Sequence, residues 1–202
     1  MSDVPAITVN KVSKQFDNVE VLRDINLTVN KGEVVSILGS SGSGKSTLLR
    51  CMNWLEQPDR GAIYIGTERI GIDDHTQQPM ANKQLAQLRQ RVGMARALVR
   101  EPAILLMDEP FSALDVLTAE NLRTDILQLW SEGKTATKSI VMVTHGIEEA
   151  VYMANRAIIL GAKPAQIREE LAIDLPYLRN RESGEFKDLV QHIYGQMMTP
   201  AE

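Results

Sequence analysis

Two adjoining stretches decide the fold: Val34–Leu38 (VVSIL) and Gly39–Thr47 (GSSGSGKST). The first is a continuous, mostly apolar run, which is typical of a strand buried on both faces of a parallel sheet. The second satisfies the pattern G-x-x-x-x-G-K-[ST] of a phosphate-binding loop. Leu48 and Leu49 follow at once and open an apolar helix. The sequence therefore predicts a strand, a phosphate-binding loop (P-loop) and a helix in direct succession.

The loop is suited to the phosphate chain of a nucleotide. Its glycines allow backbone N–H groups to turn inward onto phosphate oxygens, and the N-terminus of the following helix adds a partial positive charge. We expect Lys45 to reach the β- and γ-phosphates and the Ser46 hydroxyl to ligate Mg²⁺. The residues predicted to hold the nucleotide are Gly39, Ser40, Ser41, Gly42, Ser43, Gly44, Lys45, Ser46 and Thr47.

A second stretch, Ile104–Glu109 (ILLMDE), is a hydrophobic run that ends in two carboxylates. Asp108 is suited to hold Mg²⁺, directly or through water. Glu109, one residue further on, is suited to act as a base that polarises an attacking water. This stretch predicts the metal-binding and catalytic part of the same site.

The remaining patterns indicate an α/β fold with a mostly parallel sheet. Buried-strand runs recur at Ile140–Val143 and Ala157–Leu160. Helices are predicted between the strands, one from the helical spacing of apolar residues over 122–130 and a short one over Ile147–Ala154. Alternating segments before residue 33, broken at Asp17-Asn18, indicate antiparallel strands. Near the C-terminus an amphipathic helix is predicted to begin after Ser183. We predict one domain over 1–202, with an antiparallel β part (1–32 and 60–72), a P-loop core (33–59 and 89–165) and a C-terminal tail with a helix (166–202).

Composition narrows the class of protein. The 202 residues are 44% hydrophobic, which favours a folded chain over a disordered one. The net charge of −4 argues against a nucleic-acid binder, which usually has a basic excess. The single cysteine, Cys51, excludes an intrachain disulfide, and its apolar neighbours indicate a buried thiol. Met1–Pro5 lacks the features of a signal peptide, and no run approaches the ~20 apolar residues that span a bilayer. Any membrane role is expected to come through a partner.

Beyond the P-loop, four features resemble the ATP-binding subunits of ABC transporters. Phe16 lies where that family places an aromatic side chain that stacks on adenine. Asp108–Pro110 followed by Ser112–Asp115 (SALD) resembles the family's Walker B motif and D-loop, and Val143–His145 (VTH) resembles its switch histidine. The resemblance implies that His145 contacts the γ-phosphate and that Asp115 acts at a dimer interface.

The resemblance also implies ligands, partners and location. The ligands are ATP and Mg²⁺, and the partners are membrane permease subunits and a second ATP-binding subunit, with no nucleic acid and no direct insertion into the membrane. The location is cytoplasmic, on the inner face of the plasma membrane. Other classes of P-loop protein fit less well. A GTPase would need an N-K-x-D motif, and the nearest match, Asn82–Leu85 (NKQL), ends in leucine where the motif has aspartate. A kinase would not need SALD or VTH.

The resemblance changes character along the chain. Residues 1–94 resemble polar amino acid importers, notably over Cys51–Gly61. From about residue 90 onward the chain resembles the nitrate, sulfonate and taurine group, notably over Asp115–Arg123. The two halves imply different solutes, so the sequence leaves the solute open.

Two parts of the family pattern are missing between Lys45 and Asp108, which are 63 residues apart. One is a glutamine after a strand, where this chain continues from RVGM into ARAL. The other is the L-S-G-G-Q signature with its helical subdomain, since no Ser-Gly-Gly occurs in the chain. The string Arg89–Met94 resembles both the strand before the glutamine and the helix after the signature. This double resemblance suggests that the chain was joined across two copies of one string.

The sequence therefore predicts an ATP-binding, ATPase-type subunit of an ABC importer that energises solute uptake through a permease. ATP binding is expected to be retained but weakened. Hydrolysis is expected to be impaired because the signature loop is absent, and docking on the permease to be weakened because the helical subdomain is the family's docking surface. One alternative is a non-catalytic ATP-binding fragment or recombination product with no transport role. Another is a different P-loop enzyme such as a kinase.

Overall fold

The N-terminal part of the molecule is an antiparallel sheet. The computed structural model describes residues 4–73, 76–94, 102–133, 136–161 and 163–198. Four strands pair in the order β2-β1-β4-β5, with antiparallel neighbours throughout. Asp17 and Asn18 join the first two strands as a two-residue turn, with φ of 46° and 64°, the left-handed backbone that tight hairpins favour. The predicted antiparallel strands are confirmed, with bounds β1 (Ile7–Phe16), β2 (Val19–Val29), β4 (Arg60–Ile65) and β5 (Glu68–Arg69).

The second sheet has six strands and carries the P-loop. Its order is β10-β9-β3-β8-β7-β6, and every neighbouring pair except β9 and β10 is parallel. The four runs predicted as buried strands are β3, β7, β8 and β9, so the predicted mostly parallel core is confirmed. The bounds are β3 (Val34–Leu38), β6 (Val92–Met94), β7 (Ile104–Asp108), β8 (Ser139–Val143), β9 (Arg156–Leu160) and β10 (Ile167–Ala172).

Strand β10 was not predicted from the sequence, which assigned this stretch only to the C-terminal tail. Its residues alternate between half-buried and exposed, and Glu169 and Glu170 interrupt the apolar alternation on both faces. Pairing with β9 holds it in the sheet nonetheless, with Ile167 opposite Leu160. Burial on one side of an edge strand leaves a weak sequence signal.

In the part of the chain that the structure describes, four helices lie between the strands and a fifth follows the last strand. The predicted helices are confirmed at the P-loop, after SALD, after His145 and near the C-terminus. The Ser183 hydroxyl accepts a hydrogen bond from the Phe186 N–H at 3.3 Å, as an N-cap does. Helix α2 was not predicted because its sequence is mostly polar and gives little apolar periodicity. Leu88 is its one buried residue. The bounds are α1 (Lys45–Met52), α2 (Asn82–Arg91), α3 (Val116–Ser131), α4 (Ile147–Met153) and α5 (Gly184–Met198).

The string Arg89–Met94 spans a helix end and a strand. Helix α2 ends at Arg91, and Val92–Met94 forms the edge strand β6, parallel to β7. Of the two resemblances predicted for this string, the structure shows the strand. The ARAL segment that follows lies outside the described residues.

Between α1 and β7 the described residues form only β4, β5, α2 and β6. The expected absence of a helical subdomain is therefore confirmed. Within the described ranges, no helix is long and apolar enough to cross a membrane.

The parallel sheet separates two apolar clusters. Val35 and Ile37 face the cluster shared with α1 and the antiparallel sheet, whereas Val34 and Leu38 face the cluster shared with α3, α4 and α5. Strand β3 is therefore buried on both faces, as its apolar run predicts. Cys51 is fully buried in the first cluster, and burial raises the pKa of its thiol to about 12.

Candidate nucleotide-binding site

The P-loop follows β3 directly and leads into α1, at the carboxyl end of the parallel sheet. Gly44 precedes the helix with φ of 93°, in the left-handed region that favours glycine. A Cβ on Gly44 would lie 3.0 Å from Leu22 Cδ2 and 3.2 Å from Val21 Cγ1. Glycine is therefore required here twice over, by its backbone conformation and by the close approach of β2.

Lys45 is buried inside its own loop. Only 6% of the residue is exposed, and its Nζ donates hydrogen bonds to the carbonyl oxygens of Gly39 at 2.8 Å and Ser40 at 2.9 Å. Burial lowers the pKa of Lys45, and the negative charges of Glu109 and Asp108 oppose that shift. The predicted phosphate ligand therefore lies between the loop and the two acidic residues at the end of β7.

Ser46 and Asp108 meet across the site. The Ser46 hydroxyl donates a hydrogen bond to Asp108 Oδ1 at 3.0 Å, although the two residues lie on different elements, α1 and β7. These are two hard oxygen ligands side by side. No cluster of three or more His, Cys, Asp or Glu side chains that could hold a metal occurs among the described residues. Mg²⁺ in phosphate-transfer sites is commonly held by few protein oxygens plus phosphates and water, so the donor set fits that ion.

Glu109 and His145 form a second pair. His145 Nδ1 lies 3.4 Å from Glu109 Oε2, and both side chains are substantially exposed. The Glu109 N–H donates to the Val143 carbonyl at 2.9 Å, while its φ of 45° is a left-handed conformation that costs a non-glycine residue about 1–3 kcal/mol. This strained turn directs the Glu109 backbone out of β7 toward the end of β8. The structure thus brings together the two residues predicted as catalytic.

Asp115 lies at the start of α3 rather than in contact with the other site residues. Its Oδ1 accepts a hydrogen bond from the Thr118 N–H at 3.0 Å, the geometry of a helix N-cap. The hydrogen bonds from Thr118 lower the pKa of the Asp115 carboxyl. The structure therefore gives Asp115 a role inside the chain, and its role at a dimer interface stays a prediction.

Phe16 is 41% exposed at the end of β1. It pairs with Val19 across the hairpin, and Lys14 Nζ lies 5.0 Å from the centre of its ring. Because Val21 and Leu22 of β2 abut Gly44, the hairpin that carries Phe16 lies beside the P-loop. Stacking on adenine stays a prediction for this exposed ring.

A cavity of about 250 Å³ adjoins the Glu109–His145 pair. Sequence reasoning missed the residue that organises its wall, Arg123. The Arg123 guanidinium donates to Glu149 Oε1 at 2.7 and 3.0 Å and lies 4.9 Å from the centre of the Phe111 ring. It thereby joins α3, α4 and the loop after Glu109. A lone arginine on the polar side of an amphipathic helix gives no signal for such a role. The lining consists of Glu109, Phe111, Ser112, Arg123, Thr144, His145, Gly146, Glu148, Glu149 and Arg181.

Comparisons with known sequences identify relatives over nearly the whole chain. A family model described as ABC transporter matches residues 22–90. The aliphatic sulfonates import ATP-binding protein SsuB of Bacillus cereus (strain ZK / E33L) is 32% identical, with 94% of this chain and 95% of that protein covered. The protein of the same name from Granulibacter bethesdensis is 30% identical, with 96% of this chain and 95% of that protein covered.

Solved structures share the fold. The TM-score is 0.70 against a dimeric ATP-binding cassette in a post-hydrolysis state bound to ADP and Pi, at 22% identity over 84% of this chain and 100% of that one. It is also 0.70 against cbiO1 from Clostridium perfringens, part of an ABC transporter complex, at 18% identity over 84% and 89% of the two chains.

The alignment with the B. cereus protein also measures what is missing. It extends over 241 positions, whereas 94% of these 202 residues is about 190, so that relative has about 50 residues without a counterpart here. The family-model match ends at residue 90, inside the string Arg89–Met94. Identity of 30% or more across almost the full length of both proteins establishes that this chain belongs to the ATP-binding proteins of ABC transporters, without their helical subdomain.

Proposed function

We propose that this chain binds Mg-ATP as the nucleotide-binding subunit of an ABC importer, and that its own hydrolysis of ATP is slow. The observation that carries the proposal is the 3.0 Å contact between Ser46 Oγ and Asp108 Oδ1 beside the buried Lys45 amine. A serine hydroxyl, a carboxylate and an ammonium group converge at the carboxyl ends of two parallel strands. Together these groups are suited to bind a polyphosphate and its cation.

In this proposal each part of the P-loop has a distinct task. The backbone N–H groups of residues 39–47 bind phosphate oxygens, and the Lys45 ammonium exchanges its carbonyl partners, Gly39 and Ser40, for the β- and γ-phosphates. Ser46 and Asp108 hold the cation. Bound Mg²⁺ supplies charge neutralisation on the phosphate chain. Phe16 covers the adenine ring from the hairpin beside the loop.

Glu109 and His145 serve the γ-phosphate end of the site. Glu109 accepts a proton from the attacking water, and His145 orients the γ-phosphate through a hydrogen bond. Their 3.4 Å contact keeps the two side chains on one side of the loop. Arg123 holds the α3–α4 wall behind them through its bonds to Glu149.

Slow hydrolysis follows from what the chain lacks. The family's signature loop supplies hydrogen-bond donors to the γ-phosphate of ATP bound by a second subunit. Losing a single preorganised donor costs roughly 3–4 kcal/mol, or about 10²–10³ in rate. The signature and the glutamine both fall in the stretch that this chain lacks. An ATP-binding fragment with no transport role is therefore the second candidate function.

The partners we propose are a permease and a second ATP-binding subunit, with the chain peripheral on the cytoplasmic face of the membrane. Docking on the permease is weakened because the helical subdomain is absent. The solute class we propose is aliphatic sulfonates, because the relatives that align over nearly the full chain carry that name.

Titration of the purified chain with ATP and Mg²⁺ tests the proposal. We expect saturable binding that Lys45→Ala abolishes, together with a requirement for Mg²⁺ that Asp108→Asn weakens. Steady-state hydrolysis is expected to stay near the background of a Glu109→Gln variant. Binding that is indifferent to Lys45→Ala would sink the nucleotide site, and hydrolysis at the rate of an intact relative would sink the slow-turnover claim.

A further inference from the structure

A second lysine lies against the P-loop from an unexpected direction. Lys163, in the loop between β9 and β10, brings its Nζ to 3.8 Å and its Cε to 3.7 Å from the point that a Cβ on Gly42 would occupy. Gly42 is the central glycine of the P-loop, with φ of 71°. Because Gly42 has no side chain, nothing on Gly42 separates the end of the Lys163 side chain from the loop.

The segment that carries Lys163 is tied to the site at both ends. On one side, Leu160 lies beside the P-loop, since a Cβ on Gly39 would lie 3.1 Å from the Leu160 carbonyl oxygen. On the other side, Ala165 donates to the Val21 carbonyl at 2.8 Å and accepts from the Arg23 N–H at 2.9 Å. The same strand, β2, abuts Gly44. Contacts on both sides of Lys163 therefore hold the segment that carries it beside the P-loop.

The charges of the two lysines are used differently. Lys45 is buried and bonded to two carbonyls, whereas Lys163 is exposed and has no carboxylate within ion-pairing distance among the described residues. The two acidic residues of the site, Asp108 and Glu109, lie at the end of β7, on the far side of β8 from β9. The ammonium of Lys163 is thus uncommitted at the side of the P-loop away from the acidic pair. A polyphosphate with several negative charges supplies its natural partner.

We propose that Lys163 is a second phosphate-binding cation of the nucleotide site, which reaches over Gly42 onto the polyphosphate chain. The inference rests on the proposed function, because it assumes that the P-loop holds ATP. It adds a ligand from the β9–β10 loop, which the P-loop motif does not contain. Its flexible stem and point charge suit an oxygen-rich target without fixed geometry.

The test compares ATP affinity across matched lysine variants. Lys163→Ala and Lys163→Gln are expected to weaken ATP and ADP binding about tenfold, the loss of one charge-assisted hydrogen bond. Lys163→Arg is expected to stay within about twofold of the unaltered chain, since it keeps the charge. Lys83→Ala, which removes an exposed lysine on α2, is the control and is expected to change nothing. Raising the salt concentration is expected to narrow the difference between Lys163→Ala and the unaltered chain, as for any exposed ionic contact.

The outcomes separate the two claims. If the unaltered chain binds ATP and Lys45→Ala abolishes binding, but Lys163→Ala and Lys163→Gln bind as the unaltered chain does, this inference is overturned and the proposed function stands. If Lys83→Ala weakens binding as much as Lys163→Ala, the effect is one of net charge and the inference again falls. If the unaltered chain binds no ATP, both claims fall. Thermal unfolding of each variant confirms that the chain remains folded.

Discussion

At the carboxyl ends of β3 and β7, side chains from distant parts of the chain lie close together. The Ser46 hydroxyl donates a hydrogen bond to Asp108, and the negative charges of Asp108 and Glu109 act on Lys45. Between α1 and β7 the described residues form two short antiparallel strands, one polar helix and a three-residue edge strand. The first region holds the residues that we propose to bind a phosphate chain. The second lacks the segment that the family uses to complete catalysis.

In this structure both apolar clusters of the P-loop core are formed without a helical subdomain. The core is stabilised by strands buried on both faces and by helices packed on them, and none of those contacts depends on the missing segment. The nucleotide binding that we propose draws on the core alone. Catalysis in this family needs both regions, which is why a complete P-loop predicts binding but not turnover here.

The largest expected effect comes from restoring the missing region. Grafting the corresponding segment of the B. cereus relative after Met94 should raise steady-state ATP hydrolysis by about 10²–10³-fold, because the signature donors are returned to the γ-phosphate. The measurement is phosphate release at saturating Mg-ATP. The same graft carrying Glu109→Gln is the control and should stay inactive. A folded graft that binds ATP but hydrolyses it no faster would show that the defect lies in the core.

Much of the core was predictable from the sequence because its signals are local. A continuous apolar run such as Val34–Leu38 indicates a strand that is buried on both faces. The glycines of the P-loop indicate backbone with positive φ. Ser46 and Asp108 could be expected at one site because the P-loop follows β3, Asp108 ends β7, and the carboxyl ends of parallel strands lie along one edge of the sheet, here with β8 between the two.

Other features could not be predicted because they depend on tertiary contacts. Strand β10 is held in the sheet by pairing with β9, and Glu169 and Glu170 interrupt the apolar alternation that would have indicated it in the sequence. Arg123 gains its role from Glu149 on another helix, and Lys163 gains its position from the path of a loop after β9. The spacing of residues in the sequence does not indicate such contacts.

A smaller effect probes the P-loop itself. Gly44→Ala should abolish measurable ATP binding and lower the free energy of unfolding by about 1–3 kcal/mol, because Ala is strained at φ of 93° and its Cβ would crowd Val21 and Leu22. Gly66→Ala is the matched control, since Gly66 has φ of 63° with no heavy atom within 4 Å of the new Cβ. It should cost about 1 kcal/mol and leave ATP affinity unchanged. Equal losses in both variants would show that β2 does not constrain the loop.

The smallest expected effect concerns Asp115, the predicted site residue that caps α3. Asp115→Ala should lower the unfolding temperature slightly, because the Thr118 N–H loses its acceptor at the start of α3, whereas Asp115→Asn should retain most of the cap.

The cap lowers the pKa of Asp115 in the folded chain, so the stability that the cap contributes is fully present above the unfolded-state pKa and is lost as pH falls through the folded-state value. The difference in unfolding temperature between the unaltered chain and Asp115→Ala should therefore be constant near neutral pH and shrink under acid. A difference that persists unchanged below the folded-state pKa would show that the carboxylate does not stabilise α3 through this bond. If Asp115→Ala instead changes only the self-association of the chain with ATP, the residue acts at a dimer interface and the structural cap is incidental.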